Sequence, residues 1–291
     1  MSPFVDRFLM PFDRLIAIPA IWRAVEGTII RFARGMRRRR NAVHVERLRQ
    51  ALAAASVVQM GPFEGMRYAT LQATCSAILP KLLGTYELEL APAIDRILQQ
   101  SYECVVDVGC AEGYYAVGFA RRFPQAQVVA FDIDPRAREL CQLNAAANGI
   151  SEQISVLDAA TPSEVANLCR GRRALIFCDC EGYERDLFPA IPIADLLQSD
   201  LLIETHDFIH AGVHTLLLQH FAPTHDVIEF HSIDDRQKAR AYQTSWTSGM
   251  DEDLCELIFA EGRPVIMRWL FLVARRGLKQ SGTDSTSIYH S

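Results

Sequence analysis

The chain has 291 residues, of which 49% are hydrophobic and 22% charged, which is enough apolar material for a sizeable core and too much for a disordered polypeptide. Its first 50 residues hold 11 Lys and Arg against 4 Asp and Glu, a net of +7; with −5 for the whole chain, residues 51–291 carry −12. An acidic body argues against broad nucleic-acid binding, which needs a basic surface to neutralise phosphates, so no nucleic-acid partner is expected.

Residues 3–36 set Val5, Phe8, Phe12, Leu15, Trp22, Val25, Ile29 and Phe32 at helical spacing, with breaks near Pro11 and Pro19, and the run Arg37 to Arg40 follows. No 18-residue apolar window exists, because Pro19, Arg23 and Glu26 interrupt the nearest one, so a spanning helix is not expected. Asp6 and Asp13 sit where a signal peptide would want a basic start. Three uses of residues 3–40 stay open: docking on its own domain or on a second copy as a homodimer, peripheral contact with an anionic membrane, and, least favoured, contact of the arginine run with nucleic acid. The eight cysteines form no Cys-x-x-Cys pair, and Cys178-x-Cys180 lacks metal-finger spacing, which fits a reduced, cytoplasmic protein. Over Val57 to Tyr68, Gly61-Pro62-Phe63-Glu64-Gly65 predicts a short hairpin, in a segment expected to cap a ligand site.

From Val105 onward strands and helices alternate, which implies a mostly parallel sheet covered on both faces. An apolar strand carries Asp107 near its end, and Gly109 and Gly113 lead into a helix over Tyr114 to Arg122. A second strand, Gln127 to Phe131, ends at Asp132. Asp134 is placed to cap a helix over Pro135 to Asn148, Ile154 to Leu157 reads as the third strand, and Thr161-Pro162-Ser163-Glu164 reads as a capping box. Strands at 174–178 and 200–204 follow, then a helix from about Ala211 to Phe221. Val227 to Phe230 and Trp269 to Ala274 read as the last two strands, separated by a polar, acidic insertion. The divisions expected are 1–50, an amphipathic extension; 51–100, a cap; 101–278, the main domain; and 279–291, a loose tail.

Glycines that let backbone approach a ligand, a helix N-terminus, and an acid at the end of the second strand outline an adenosine-cofactor site. The spacing Gly109-x-x-x-Gly113 is not the dinucleotide fingerprint, and Glu112 inside the turn would oppose a pyrophosphate. Asp-x-Gly-x-x-x-Gly followed by a strand ending in Asp looks like the S-adenosylmethionine site of class I methyltransferases. More closely, the turn Asp107-Val108-Gly109 to Gly113-Tyr114-Tyr115, the strand end Asp179-Cys180-Glu181-Gly182-Tyr183-Glu184, the strand end Glu204-Thr205-His206 and the run Lys81 to Glu87 resemble the FkbM family of methyltransferases. The resemblance covers about residues 80 to 210, and departs from the family at Cys110-Ala111, where Ala-Asn is usual.

That resemblance implies a Rossmann-like sheet of seven strands with the last antiparallel, S-adenosyl-L-methionine as cofactor, and O-methylation of a sugar, glycan or natural-product small molecule. It assigns Asp107, Gly109 and Gly113 to the methionine part and Asp132 to the ribose hydroxyls, and it counts Ala111, Ile133 and Asp179 among the cofactor-binding residues. Asp158 and Ala159 fall beside adenine, Glu87 and Tyr86 close over the site, with Glu87 meeting the ammonium, and Tyr114 lines the cavity or the core. From residue chemistry, His206 is the first candidate base, because a neutral imidazole can take a hydroxyl proton near pH 7; Asp179 and Glu181 are the alternatives, as bases or as groups that orient the acceptor. His206, His210 and His214 are four apart, but Gly212 argues against one helical face. No metal is expected, with Mg²⁺ at Asp179, Glu181 and Glu204 as the reserve reading. Methylation of nitrogen or of a protein, and an inactive cofactor-binding scaffold acting through the N-terminal helix, remain open beside O-methylation.

Overall fold

A computed structural model of the chain describes residues 19–74, 76–242 and 244–276. It divides into two units, residues 1–51 and 52–291. Of the first, the structure describes the greater part of one helix, α1 (Pro19–Ala55). The expected break at Pro19 is the start of this helix, which continues unbroken through Arg37 to Arg40, so the boundary drawn at residue 50 falls inside it. From Ala20 to Ala55 there is no proline, and Ala, Arg and Leu are good helix formers. The apolar positions from Val5 to Leu15, the break near Pro11 and the tail at 279–291 lie outside the described residues.

In the second unit, α2 (Ile78–Leu83) and α3 (Ala91–Leu98) precede a sheet. In chain order follow β1 (Cys104–Val108), α4 (Tyr114–Arg122), β2 (Gln127–Phe131), α5 (Pro135–Ala147), β3 (Ile154–Leu157), α6 (Pro162–Cys169), β4 (Ala174–Cys178) and α7 (Glu184–Leu187). Then come β5 (Asp200–Thr205), α8 (Val213–Phe221), β6 (His225–His231), α9 (Asp235–Ala241), α10 (Glu252–Phe259) and β7 (Arg268–Ala274). The seven strands lie in the order β3-β2-β1-β4-β5-β7-β6, parallel from β1 to β5, with β7 antiparallel to both neighbours. This is the Rossmann-like, doubly wound arrangement expected.

Burial explains the sequence pattern. Strands β1, β4 and β5 are buried along their whole length and read as apolar runs, whereas the edge strands β3 and β6 alternate with exposed positions. Local signals place the helices: the Asp134 side chain accepts from the Arg136 N–H at 2.8 Å, and Thr161 with Glu164 forms a capping box. The insertion before β7 is not merely polar, since α10 buries Leu254, Cys255, Ile258 and Phe259.

Val57 bridges Arg67 in the predicted hairpin, and the Phe63 ring from its turn packs edge-on against Tyr114, Tyr115 and Phe119 of α4. The chain leaves β1 toward β2 and β3, then returns to β4 on the other side. That reversal opens a crevice at the carboxyl ends of β1 and β4, the place where open parallel sheets bind ligands.

Gly109, just past β1, has φ +86, and a Cβ there would sit 1.7 Å from the Asp179 carbonyl oxygen. The glycine is therefore required by the protein's own backbone before any ligand enters. Gly109→Ala is expected to destabilise the fold by at least about 3 kcal/mol in urea unfolding, against about 1 kcal/mol for Gly149→Ala, whose φ is +70 but whose Cβ position is open.

Candidate active site

A cavity of about 640 Å³ lies in this crevice, built from four consecutive strand ends. The β1 turn contributes Asp107 to Ala111, β2 contributes Asp132 and Ile133, β3 contributes Asp158 and Ala159, and β4 contributes Asp179 and Glu181. The cap closes one wall with Thr74, Ser76, Lys81 and Tyr86. Volume and mixed lining suit a small-molecule cofactor.

Asp107 is fully buried, and neither of its carboxylate oxygens has a hydrogen-bond partner among the described residues. Burial, and then the neighbouring charges of Asp132 and Asp179, push its carboxyl well above the usual range. A buried acid in this state is relieved by a cationic donor, and an ammonium group supplies one. The Asp132 carboxylate accepts from the Ala111 N–H at 2.8 Å and the Asp134 N–H at 2.9 Å, so both oxygens are oriented and each keeps acceptor capacity toward the cavity. Ile133 beside it is 82% exposed, an apolar face available to a flat ring. Tyr114 and Tyr115 both line the cavity although they are buried. The Tyr115 ring stacks on Phe177 at 3.8 Å.

Four expectations are corrected. Glu87 does not line the cavity: its buried carboxylate meets Arg263 at 2.7 Å and accepts from the Tyr115 hydroxyl. Burial, opposed by Arg263, brings its carboxyl up to about 7. Gly113 is also outside the wall; it starts α4 at φ +89, where a Cβ would meet Cys141 Sγ at 2.7 Å. Glu112 turns away from the cavity, buried and paired with Lys81 Nζ at 2.5 Å, so it presents no charge to a bound phosphate. His206, finally, is 1% exposed and outside the wall.

His206 is surrounded by acids. Its Nδ1 lies 3.1 Å from Glu184, and its Nε2 lies 3.4 Å from Asp179, 3.6 Å from Glu181 and 3.6 Å from Glu204. Burial alone would lower the imidazole, but Asp179 and Glu184 outweigh it and raise it to about 11. An imidazolium cannot accept a proton, so the assumption of a neutral base at pH 7 fails in this arrangement. Asp179, for which burial is outweighed by the His206 contact, is held below the usual carboxylate range. At the β4 end the cavity-facing acceptors are therefore Asp179 and Glu181. His210 and His214 do not join His206: His214 pairs with Glu229 at 3.1 Å, and α8 begins only at Val213.

Sequence reasoning missed the counter-charges. Arg263, from the insertion before β7, reaches Glu87 and Glu204 at 2.7 Å each and Glu261 at 3.0 Å. Lys238 of α9 also pairs with Glu261. Two asparagines of the α5 end fasten the cap: Asn144 Oδ1 accepts from the Ala69 N–H at 2.8 Å, and Asn148 exchanges bonds with the Arg67 backbone at 2.9 and 2.7 Å. No local motif announces these roles, because each partner is distant in sequence.

Comparison with known proteins agrees on the class of domain. Residues 105–178, from β1 to β4, match a family described as "Methyltransferase domain". Over 67 residues the chain is 39% identical to a tRNA1(Val) (adenine(37)-N6)-methyltransferase of Porphyromonas gingivalis, a stretch that is 21% of this chain and 26% of that one. Over 78 residues it is 33% identical to a release factor glutamine methyltransferase of Chlorobaculum tepidum, covering 25% and 26%. The match thus spans about a quarter of the length of these curated relatives. A solved O-methyltransferase of Bacillus cereus, in complex with SAH, overlaps 79% of this chain and 90% of its own at 11% identity, with a TM-score of 0.43.

Replacing Arg263 by Leu removes the cation shared by four buried carboxylates, Glu87, Glu89, Glu204 and Glu261. A loss of about 3–5 kcal/mol in chemical denaturation is expected, much larger than for Arg170→Leu, whose pair with Asp195 lies at the surface.

Proposed function

We propose that the chain is an S-adenosyl-L-methionine-dependent methyltransferase that methylates a hydroxyl of a sugar, glycan or natural-product small molecule. The observation that carries the cofactor is the buried, unpartnered Asp107 carboxylate facing a cavity whose next strand ends present Asp132 and Asp158. A zwitterionic amino acid joined to a ribose and an adenine needs such a series: an acid for its ammonium, a two-oxygen acceptor for its diol and an acceptor for an exocyclic amine. The bound cofactor supplies an electrophilic methyl group on a positively charged sulfur. The matched methyltransferase domain spans the same three strand ends.

The acceptor side rests on Asp179 and Glu181, which project into the cavity from the β4 end and can take or orient a hydroxyl proton. The likeness of Asp179-x-Glu181-Gly182-x-Glu184 to the FkbM family supports oxygen as the methylated atom. His206 then acts by holding Asp179 in place. On α1, exposed Ile29, Phe32 and Met36 stand among arginines, which supports a contact with anionic lipid or with a second copy. Sedimentation with anionic vesicles and the molar mass in solution, each with and without residues 1–40, separate these two uses: loss of lipid binding identifies the first, and loss of dimer the second.

Asp107→Asn and Asp132→Ala are each expected to weaken S-adenosylmethionine binding at least about tenfold in calorimetry, since each removes a charged acceptor from a ligand hydrogen bond. Wild-type protein should transfer labelled methyl to members of a hydroxylated glycan and natural-product panel. Unchanged affinity in both variants would sink the cofactor assignment.

A further inference from the structure

We propose that Asp179, Glu181 and His206 form a binding site for one divalent metal ion at the acceptor end of the cavity. One ligand atom from each of these residues lies within 4.8 Å of the others. The spacing about His206 Nε2 is unusual for hydrogen bonding alone: its nearest carboxylate oxygens are 3.4 Å away on Asp179, and 3.6 Å away on Glu181 and on Glu204. Hydrogen bonds to a ring nitrogen close to about 2.7–3.2 Å. Atoms sharing an ion at about 2.1 Å stand about 3 Å apart when their bonds meet at right angles, so a small contraction of this cluster would bring the three atoms to ligand spacing on one side of an ion.

The second nitrogen of the ring supports the same conclusion. Nδ1 faces Glu184 Oε1 at 3.1 Å, and Glu184 is itself buried and fixed, accepting from the His206 N–H at 2.8 Å and the Gly182 N–H at 2.9 Å. A carboxylate that takes the Nδ1 proton sets the tautomer and aims the Nε2 lone pair away from itself, as the outer partners of metal-bound histidines do. Nε2 points at the carboxylates of Asp179 and Glu181. A proton on Nε2 and a metal ion compete for one place, because either neutralises part of the same crowd of acids. Glu204, the third member of the reserve Mg²⁺ set, is already held by Arg263 at 2.7 Å, so the histidine replaces it in the ligand set.

One imidazole with two carboxylates matches a first-row divalent cation such as Mn²⁺ better than an all-oxygen Mg²⁺ cage or a thiolate zinc site. Asp179 and Glu181 line the cavity and the Glu181 side chain is 67% exposed, so an ion can enter and keep open positions. Resting on the proposed methyltransferase activity, those positions select the acceptor: a molecule with two adjacent oxygens, a vicinal diol or hydroxy-ketone, would bind the ion through both.

The test uses full-length protein stripped with a chelator and desalted, titrated with Mn²⁺ while free ion is followed by electron paramagnetic resonance. One ion per chain is expected, with affinity falling at least about tenfold in Glu181→Gln and unchanged in the surface variant Glu139→Gln. Because His206 is buried and its replacement could unfold the chain, the exposed Glu181 carries the comparison. Absence of Mn²⁺ binding, or binding that Glu181→Gln leaves intact, overturns the site. Calorimetry of the same stripped wild-type protein with S-adenosylmethionine separates the two readings: cofactor binding without Mn²⁺ binding refutes only the ion, whereas Mn²⁺ binding without cofactor binding refutes the methyltransferase and the acceptor role with it.

Discussion

Asp107, Asp132, Asp179, Glu181 and Glu204 converge where β1, β2, β4 and β5 end, in a cleft that excludes much of the solvent. Like charges held this close raise one another's energy, and each must find a cation, a proton or a donor. The rest of the structure can be understood as the answer to that crowding. Arg263 takes Glu204 and Glu87, His206 takes Asp179 and Glu184, and backbone N–H groups take Asp132. Asp107, fully buried, is left with neither oxygen bonded among the described residues, and that vacancy in the charge balance is where a cationic ligand gains most.

The cap belongs to the same scheme. Lys81 stands over the Tyr86 ring at 4.6 Å and pairs with Glu112, so the glycine turn after β1 is tied to α2 by a buried ion pair. Truncating either member would leave an unpaired buried charge, so the turn and the cap hold each other in register. Phe63, wedged against α4, adds apolar contact to the same junction. The wall that covers the cavity is therefore anchored through the turn that forms the cavity floor.

Local features were legible in the sequence to within a residue or two, because they are set by local physics. Apolar runs gave β2, β3 and β4 with their observed bounds and β1 from Val105, one residue inside its observed start, and Asp134 and Thr161 marked two helix starts through their side-chain oxygens. The strand-end acids at 107, 132, 158 and 179 follow from the sheet and face one cavity. What the sequence could not disclose was orientation and long-range pairing. Glu87 and Glu112 look like free acids beside a ligand until Arg263 and Lys81 are brought to them. His206 looks like a neutral base until four carboxylates are seen around it. Gly109 suggested room for a ligand, yet its missing side chain makes room for the backbone of the neighbouring strand.

The reach of Arg263 has a consequence for how the protein matures. Its guanidinium meets Glu87 across 176 residues of chain, and it lies only a few positions before the final strand. During synthesis the earlier strands emerge first, with their carboxylates still lacking a counter-charge. The pocket thus reaches its finished electrostatic state only once the segment carrying Arg263 has left the ribosome, so the earlier strands alone do not complete it.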